Sequence, residues 1–189
     1  MSLLSEQIIQ AERGSRKRAK NFYESQVKDH LTPAMQEFIQ NQKLMFIATA
    51  DATGSCDCSP RFGKTGLVTI LGEKTLAYPE FRGNGVFASL GNILENPQIG
   101  LLFLDFLGST VGLHVNGTAE RRPPSDVPTG VSDNNELRSA RLIEQWVYVT
   151  VQEAYIHCSK HVPKFKEVEK KVHWGTDDPK QKSSNYFQS

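Results

Sequence analysis

The chain has 189 residues, 38% of them hydrophobic and 23% charged, with a formal net charge of +1 at pH 7. That length allows one domain with a sizeable core, and the near-neutral balance excludes a global attraction to nucleic acid or to a membrane surface. No apolar run approaches the ~20 residues that span a bilayer, the N-terminus lacks a basic region followed by an apolar core, and three cysteines make no disulfide framework, so a cytoplasmic protein is expected.

In chain order, residues 5–27 read as one helix charged on several faces, with Arg13, Arg16, Lys17, Arg18 and Lys20 as its basic run. That run fits a solvated helix face; nucleic acid or a dimer surface is its other reading, and nucleic acid is not the expected partner. Thr32-Pro33 opens a second helix, Thr as N-cap and Pro at the first helical position, with Met35, Phe38 and Ile39 at core spacing as far as Asn41. Lys43 to Ala50 is an apolar strand, Asp51 to Ser55 a hairpin turn, and Cys56 to Gly63 the return strand. Leu67 to Leu71 and Thr75 to Tyr78 form the next hairpin, and Ile99 to Asp105, Val111 to Glu120 and Trp146 to Ile156 are further strands. Arg121 to Glu136 is a long polar loop, Leu137 to Glu144 a short helix, and Lys164 to Val172 a charged helical segment before a polar tail. Successive short strands with only short helices between them predict an antiparallel barrel.

Two clusters with metal-ligand chemistry are set aside. Cys56 and Cys58 alternate to one face of a strand with no second ligand pair nearby, which predicts buried reduced thiols. His157 and His161 would share a helical face, but Pro163 argues against a long helix and no carboxylate completes the set, so no metal is expected. Ser59 and Arg61 draw more interest, because Pro60 interrupts the strand beside two side chains that suit phosphate.

The most informative stretch runs from Leu76 to Phe103. It begins as a strand, breaks at Pro79, turns through Arg82-Gly83-Asn84-Gly85 and continues as a short helix to Glu95. Two glycines allow close backbone approach, the helix start offers free amides, and Arg82 offers two-point contact, so a phosphate fits. A plain strand-turn-helix connection with a solvated arginine fits as well. The third glycine of a dinucleotide fingerprint, the Gly-Lys-Ser/Thr phosphate loop and the nucleophile elbow are all missing.

The literal wording carries further. Tyr-Pro-Glu-Phe-Arg-Gly-Asn (78–84), Leu-Gly-Asn-Ile-Leu-Glu-Asn-Pro-Gln-Ile-Gly-Leu-Leu-Phe (90–103) and Leu-His-Val-Asn-Gly-Thr-Ala-Glu (113–120) closely resemble the pyridoxamine 5'-phosphate oxidase-like flavoproteins. The resemblance runs from about Met45 to Lys164. It implies a mainly β protein: a split β-barrel of the FMN-binding type, a homodimer with FMN at the subunit interface. Residues 1–42 would form an N-terminal helical segment packed on the barrel, 43–165 the barrel, and 166–189 a C-terminal helix and flexible tail.

The implied activity is an FMN-dependent oxidoreductase that moves a hydride between a reduced nicotinamide or small organic substrate and an acceptor. The alternative is a non-catalytic flavin, deazaflavin or haem binder of the same fold, and haem would need His157 or His161 as ligand. For FMN, the resemblance implies Ser59, Arg61, Arg82 and Asn84 at the phosphate and Asn92 near the ribityl chain or phosphate. It also implies Tyr78, Pro79 and Glu80 along the ring edge, and His114 reaching in from the partner chain. His157, Lys160 and Trp174 are the substrate candidates, since the C-terminal segment of related proteins approaches the cleft; surface or packing roles are their other reading. The chain has fewer cations than the oxidases that name the family, and their C-terminal pyridoxamine phosphate residues lack counterparts, so vitamin B6 chemistry is not expected.

Overall fold

The structure, a computed structural model, describes residues 4–63, 65–131, 143–170, 178 and 180. Three helices, α1 (Leu4–Glu12), α2 (Arg16–Gln26) and α3 (Pro33–Gln40), come first. Then follow β1 (Leu44–Ala50), β2 (Cys56–Phe62), β3 (Thr69–Gly72), β4 (Thr75–Phe81), α4 (Ala88–Glu95), β5 (Gln98–Leu104), β6 (Gly112–Arg122) and β7 (Ile143–His157). The strands form one sheet in the order β2-β1-β5-β6-β7-β4-β3, every neighbouring pair antiparallel. Among the described residues no helix is long and apolar enough to cross a membrane.

The sheet curls. β2 and β4 stand five places apart in that order, which in a flat sheet is about 24 Å at ~4.8 Å per strand. Yet the Arg61 guanidinium on β2 meets the Glu80 carboxylate on β4 at 2.9 and 3.0 Å. Alternation along each strand turns Met45, Ile47, Leu101, Phe103, Leu113, Val115, Val147 and Val149 into the enclosed core. Leu31 and Ile39 from the α3 region close it, and Thr32 caps α3 by accepting the Met35 N–H at 3.3 Å.

Several expectations need correction. The single N-terminal helix is two: Gly14 takes a φ of +60°, a left-handed turn that ends α1 and that glycine adopts without a Cβ penalty. Neither proline breaks its strand. Pro60 sits in β2, an edge strand, and Pro79 lies beyond Ala77, where the pairing of β4 with β3 ends, so neither removes a ladder donor. Cys56 and Cys58 do share a face, but it is the outer face of β2 and both are exposed. The chain from Lys164 to Lys170 is not helical; it is pinned, as Phe165 donates its N–H to the Phe106 carbonyl at 2.8 Å, the two rings stack at 4.9 Å, and Lys43 pairs with Glu167 at 2.9 Å. Of the helix expected over 137–144, residues 137–142 lie outside the described ones, while Ile143 and Glu144 already belong to β7.

Candidate functional site

Alternation along β2 points Asp57, Ser59 and Arg61 inward, opposite Thr49, Ile47 and Met45 of β1. Glu80 continues the inward row of Leu76 and Tyr78 on β4. Together with the turn from Gly83 and the first residues of α4, these side chains line a cavity of about 360 Å³. Arg61 joins its walls: Nε and one terminal nitrogen bind the two Glu80 oxygens at 3.0 and 2.9 Å, and a longer 3.4 Å contact reaches Ser89 Oγ. Ser89 in turn donates to Asp57 Oδ2 at 2.9 Å, and Ser59 reaches the same oxygen at 3.4 Å.

The turn into α4 is built by its own residues. Asn84 Oδ1 accepts the Val86 N–H at 3.0 Å, Gly85 takes a φ of +81°, and Phe87, the N-cap, is held left-handed at +56°. A left-handed phenylalanine is uncommon, and such strain clusters at ligand sites. Among the described residues no side chain caps α4, so its first amides and the positive end of its dipole are turned toward the cavity that Ala88, Ser89 and Leu90 line. Asn92 fixes the helix from below, donating to Thr49 Oγ1 at 3.0 Å.

Two carboxylates face one guanidinium here. Burial pushes the Glu80 carboxyl above its ordinary value, a shift that Arg61 opposes and Glu144 reinforces. Desolvation thus outweighs the ion pair, the usual balance for a shielded pair.

Four of the expected cofactor residues, Ser59, Arg61, Glu80 and Asn84, meet around this cavity. Asn92 stands on α4 and holds it to β1. Arg82 is exposed and does not line the cavity. Tyr78 is fully buried in the core, its hydroxyl has no partner among the described residues, and burial drives its pKa up. Pro79 pairs with Trp146 and lines a separate cavity of about 400 Å³ on the other face of β4. His114 also lies elsewhere, its Nε2 3.0 Å from His157 Nδ1 and its ring stacked on Tyr155 at 4.7 Å. Burial and then His157 depress the His114 pKa. Lys160 is exposed on the short 3₁₀ turn Ser159–His161. Trp174 lies outside the described residues.

Asp57, Ser89 and Phe87 were not anticipated. Asp57 was legible, because it shares the two-residue period of Ser59 and Arg61. Among the described residues no group of three or more His, Cys, Asp or Glu could hold a metal ion.

A family model described as pyridoxamine 5'-phosphate oxidase matches residues 31–173. Among solved structures, a Lactobacillus delbrueckii protein provisionally named a pyridoxamine 5'-phosphate oxidase is 23% identical, covers 68% of this chain and 95% of its own, and superposes with a TM-score of 0.50. An FMN-binding protein from Syntrophomonas wolfei is 12% identical over 77% of this chain and 96% of its own, with a TM-score of 0.43. The heme storage protein HutZ from Vibrio cholerae is 16% identical over 67% and 94%, with a TM-score of 0.42. No curated protein matches the chain significantly.

Proposed function

The chain belongs to the pyridoxamine 5'-phosphate oxidase family, and from that premise we propose that it is an FMN-dependent oxidoreductase acting as a split-barrel homodimer. The observation that carries this reading is the cavity at the start of α4, where serine hydroxyls, an asparagine amide, uncapped helix amides and Arg61 converge. Those donors suit a phosphate monoester, and each charge-assisted hydrogen bond to it would contribute about 1.5–3 kcal/mol. Ser59, Arg61, Asn84 and Ser89 would hold the phosphate of FMN. Bound FMN supplies hydride chemistry at its ring. The residues of the chain bind the phosphate, fix the start of α4 through Asn92 and Thr49, and shield the Arg61 and Glu80 side chains, which are only 16% and 13% exposed.

The dimer reading rests on the outer face of the sheet. Leu44 and Phe46 of β1, Pro60 and Phe62 of β2, and Leu102 and Leu104 of β5 point away from the core in register, and Phe62 is 51% exposed. Strands apolar on both faces call for a cover on each, and a two-fold copy supplies one. His114 stands opposite Leu102 on this same face, where a partner chain would meet it.

The second reading is a binder of flavin, deazaflavin or haem without turnover; the two carboxylates in the cavity oppose a phosphate's charge and so bear on cofactor retention in either reading. An absorption spectrum of purified protein, repeated after incubation with FMN and desalting, separates the two. Retained flavin bands that bleach on adding a reduced nicotinamide support the oxidoreductase. Retained flavin that stays oxidised points to a carrier, and protein that takes up no FMN counts against the cofactor itself.

A further inference from the structure

We propose that Glu80 sets how tightly the cavity holds a phosphate, by occupying the Arg61 guanidinium and surrendering it on taking up a proton. This rests on the FMN reading above and assigns Glu80 a role different from contact with the ring.

Arginine has five N–H donors. In Arg61, two are engaged with Glu80 at 3.0 and 2.9 Å, one with the Pro60 carbonyl at 3.1 Å and one with Ser89 at 3.4 Å, so at most one remains for a ligand. A phosphate therefore competes with a carboxylate for the best anion-binding group in the cavity, and gains two-point contact with the Nε edge of Arg61 only where Glu80 gives way. It must do so close to Asp57, which adds a second negative charge to the same walls. Both members of the pair are mostly shielded from water, so the competition is little damped by solvent.

The groups acting on Glu80 are Arg61 from β2, Glu144 from β7 and Tyr78 of its own strand, with Asp57 on the cavity wall. Arg61 alone favours its charged form, while burial and Glu144 favour the neutral one, so a second anion beside it tips Glu80 toward protonation. The event is a proton passing from solvent to the Glu80 carboxylate as the phosphate takes its place on Arg61. No other bond changes.

Calorimetric titration of the full chain, freed of flavin, with FMN in two buffers of different ionisation enthalpy reads this directly. Between about pH 5.5 and 8, binding should take up a measurable fraction of one proton and weaken by roughly tenfold toward the upper end. Glu80→Gln should abolish that uptake and bind FMN roughly tenfold tighter at the upper end, about 1.4 kcal/mol. The phosphate of FMN itself titrates at about 6 and is already a dianion near pH 8, so at that end of the range the difference between the two proteins reports Glu80. Asp57→Asn, which removes a charge from the same walls without touching the grip on Arg61, should keep the proton uptake. Identical uptake by wild type and Glu80→Gln, or no gain in affinity, overturns the proposal. If Glu80→Gln does not fold, wild-type uptake no greater than that of the phosphate overturns it too. FMN binding without the linkage sinks only this proposal, whereas no FMN binding at any pH sinks the cofactor reading with it.

Discussion

Replacing Arg61 by methionine keeps an unbranched apolar stem, removes the guanidinium and strands the Glu80 carboxylate in the seam between β2 and β4. Removing one partner of a fully buried pair costs about 3–5 kcal/mol. Here the side chains retain 16% and 13% exposure, so the loss belongs at or just below that range, about 2–3 kcal/mol at pH 7.5. For a chain of this size that lowers Tm by roughly 5–10 °C. The deficit should depend on pH. The folded-state pKa of Glu80 already exceeds its ordinary 4.5 through burial, and loss of Arg61 raises it further. A carboxyl raised in this way favours the folded state while protonated, a contribution intact below about pH 4.5 and lost as pH rises through the raised value. Arg61→Met should therefore nearly match wild type near pH 4.5 and show its full deficit at pH 7.5. The double variant Arg61→Met/Glu80→Leu, which removes both members of the pair and leaves Asp57 its hydrogen bond from Ser89, should lie within about 1 kcal/mol of wild type. Urea unfolding followed by circular dichroism at both pH values measures all three. A single variant within about 0.5 kcal/mol of wild type at pH 7.5, or equally weakened at both, would refute the claim that a shielded charge pair closes the curled sheet.

Two further outcomes are expected. A Cβ on Gly117 would stand 2.0 Å from the Thr150 carbonyl oxygen across the β6–β7 ladder, beside its register shift; since neither atom belongs to a flexible side chain, Gly117→Ala should cost about 2–3 kcal/mol by thermal unfolding. If the proposed homodimer forms through the exposed outer face of β2, Phe62→Glu should leave the fold of one chain intact while halving the mass seen by light scattering; a wild type of monomer mass refutes the dimer, and an unchanged dimer mass refutes this face as its contact.

Much of the fold was legible from local chemistry. Thr32-Pro33 marks the start of α3 because a hydroxyl cap and a proline suit the first turn of any helix, wherever it packs. β1 and β5 were legible as apolar runs and β6 by two-residue alternation, and the turn around Asn84 and Gly85 follows from residues that tolerate left-handed backbone. The motifs from Tyr78 to Glu120 carried the resemblance, and the family model that matches residues 31–173 spans all of them.

What local chemistry left open depends on neighbours far away in the chain. Pro60 and Pro79 read as strand breakers until their positions in the sheet are known, because a missing N–H matters only where a neighbouring strand would have accepted it. Cys56 and Cys58 share a face in any strand, but whether that face is covered is decided by the curl of the sheet and by what packs outside it. The same curl brings Arg61 to Glu80 across 19 positions of sequence and five places of strand order, and so makes a residue read only as a phosphate ligand half of an ion pair as well. Propensity and alternation act over a few residues and can be read one stretch at a time. Charge pairing and burial act through space, and only the curl of the sheet determines which charges are shielded together.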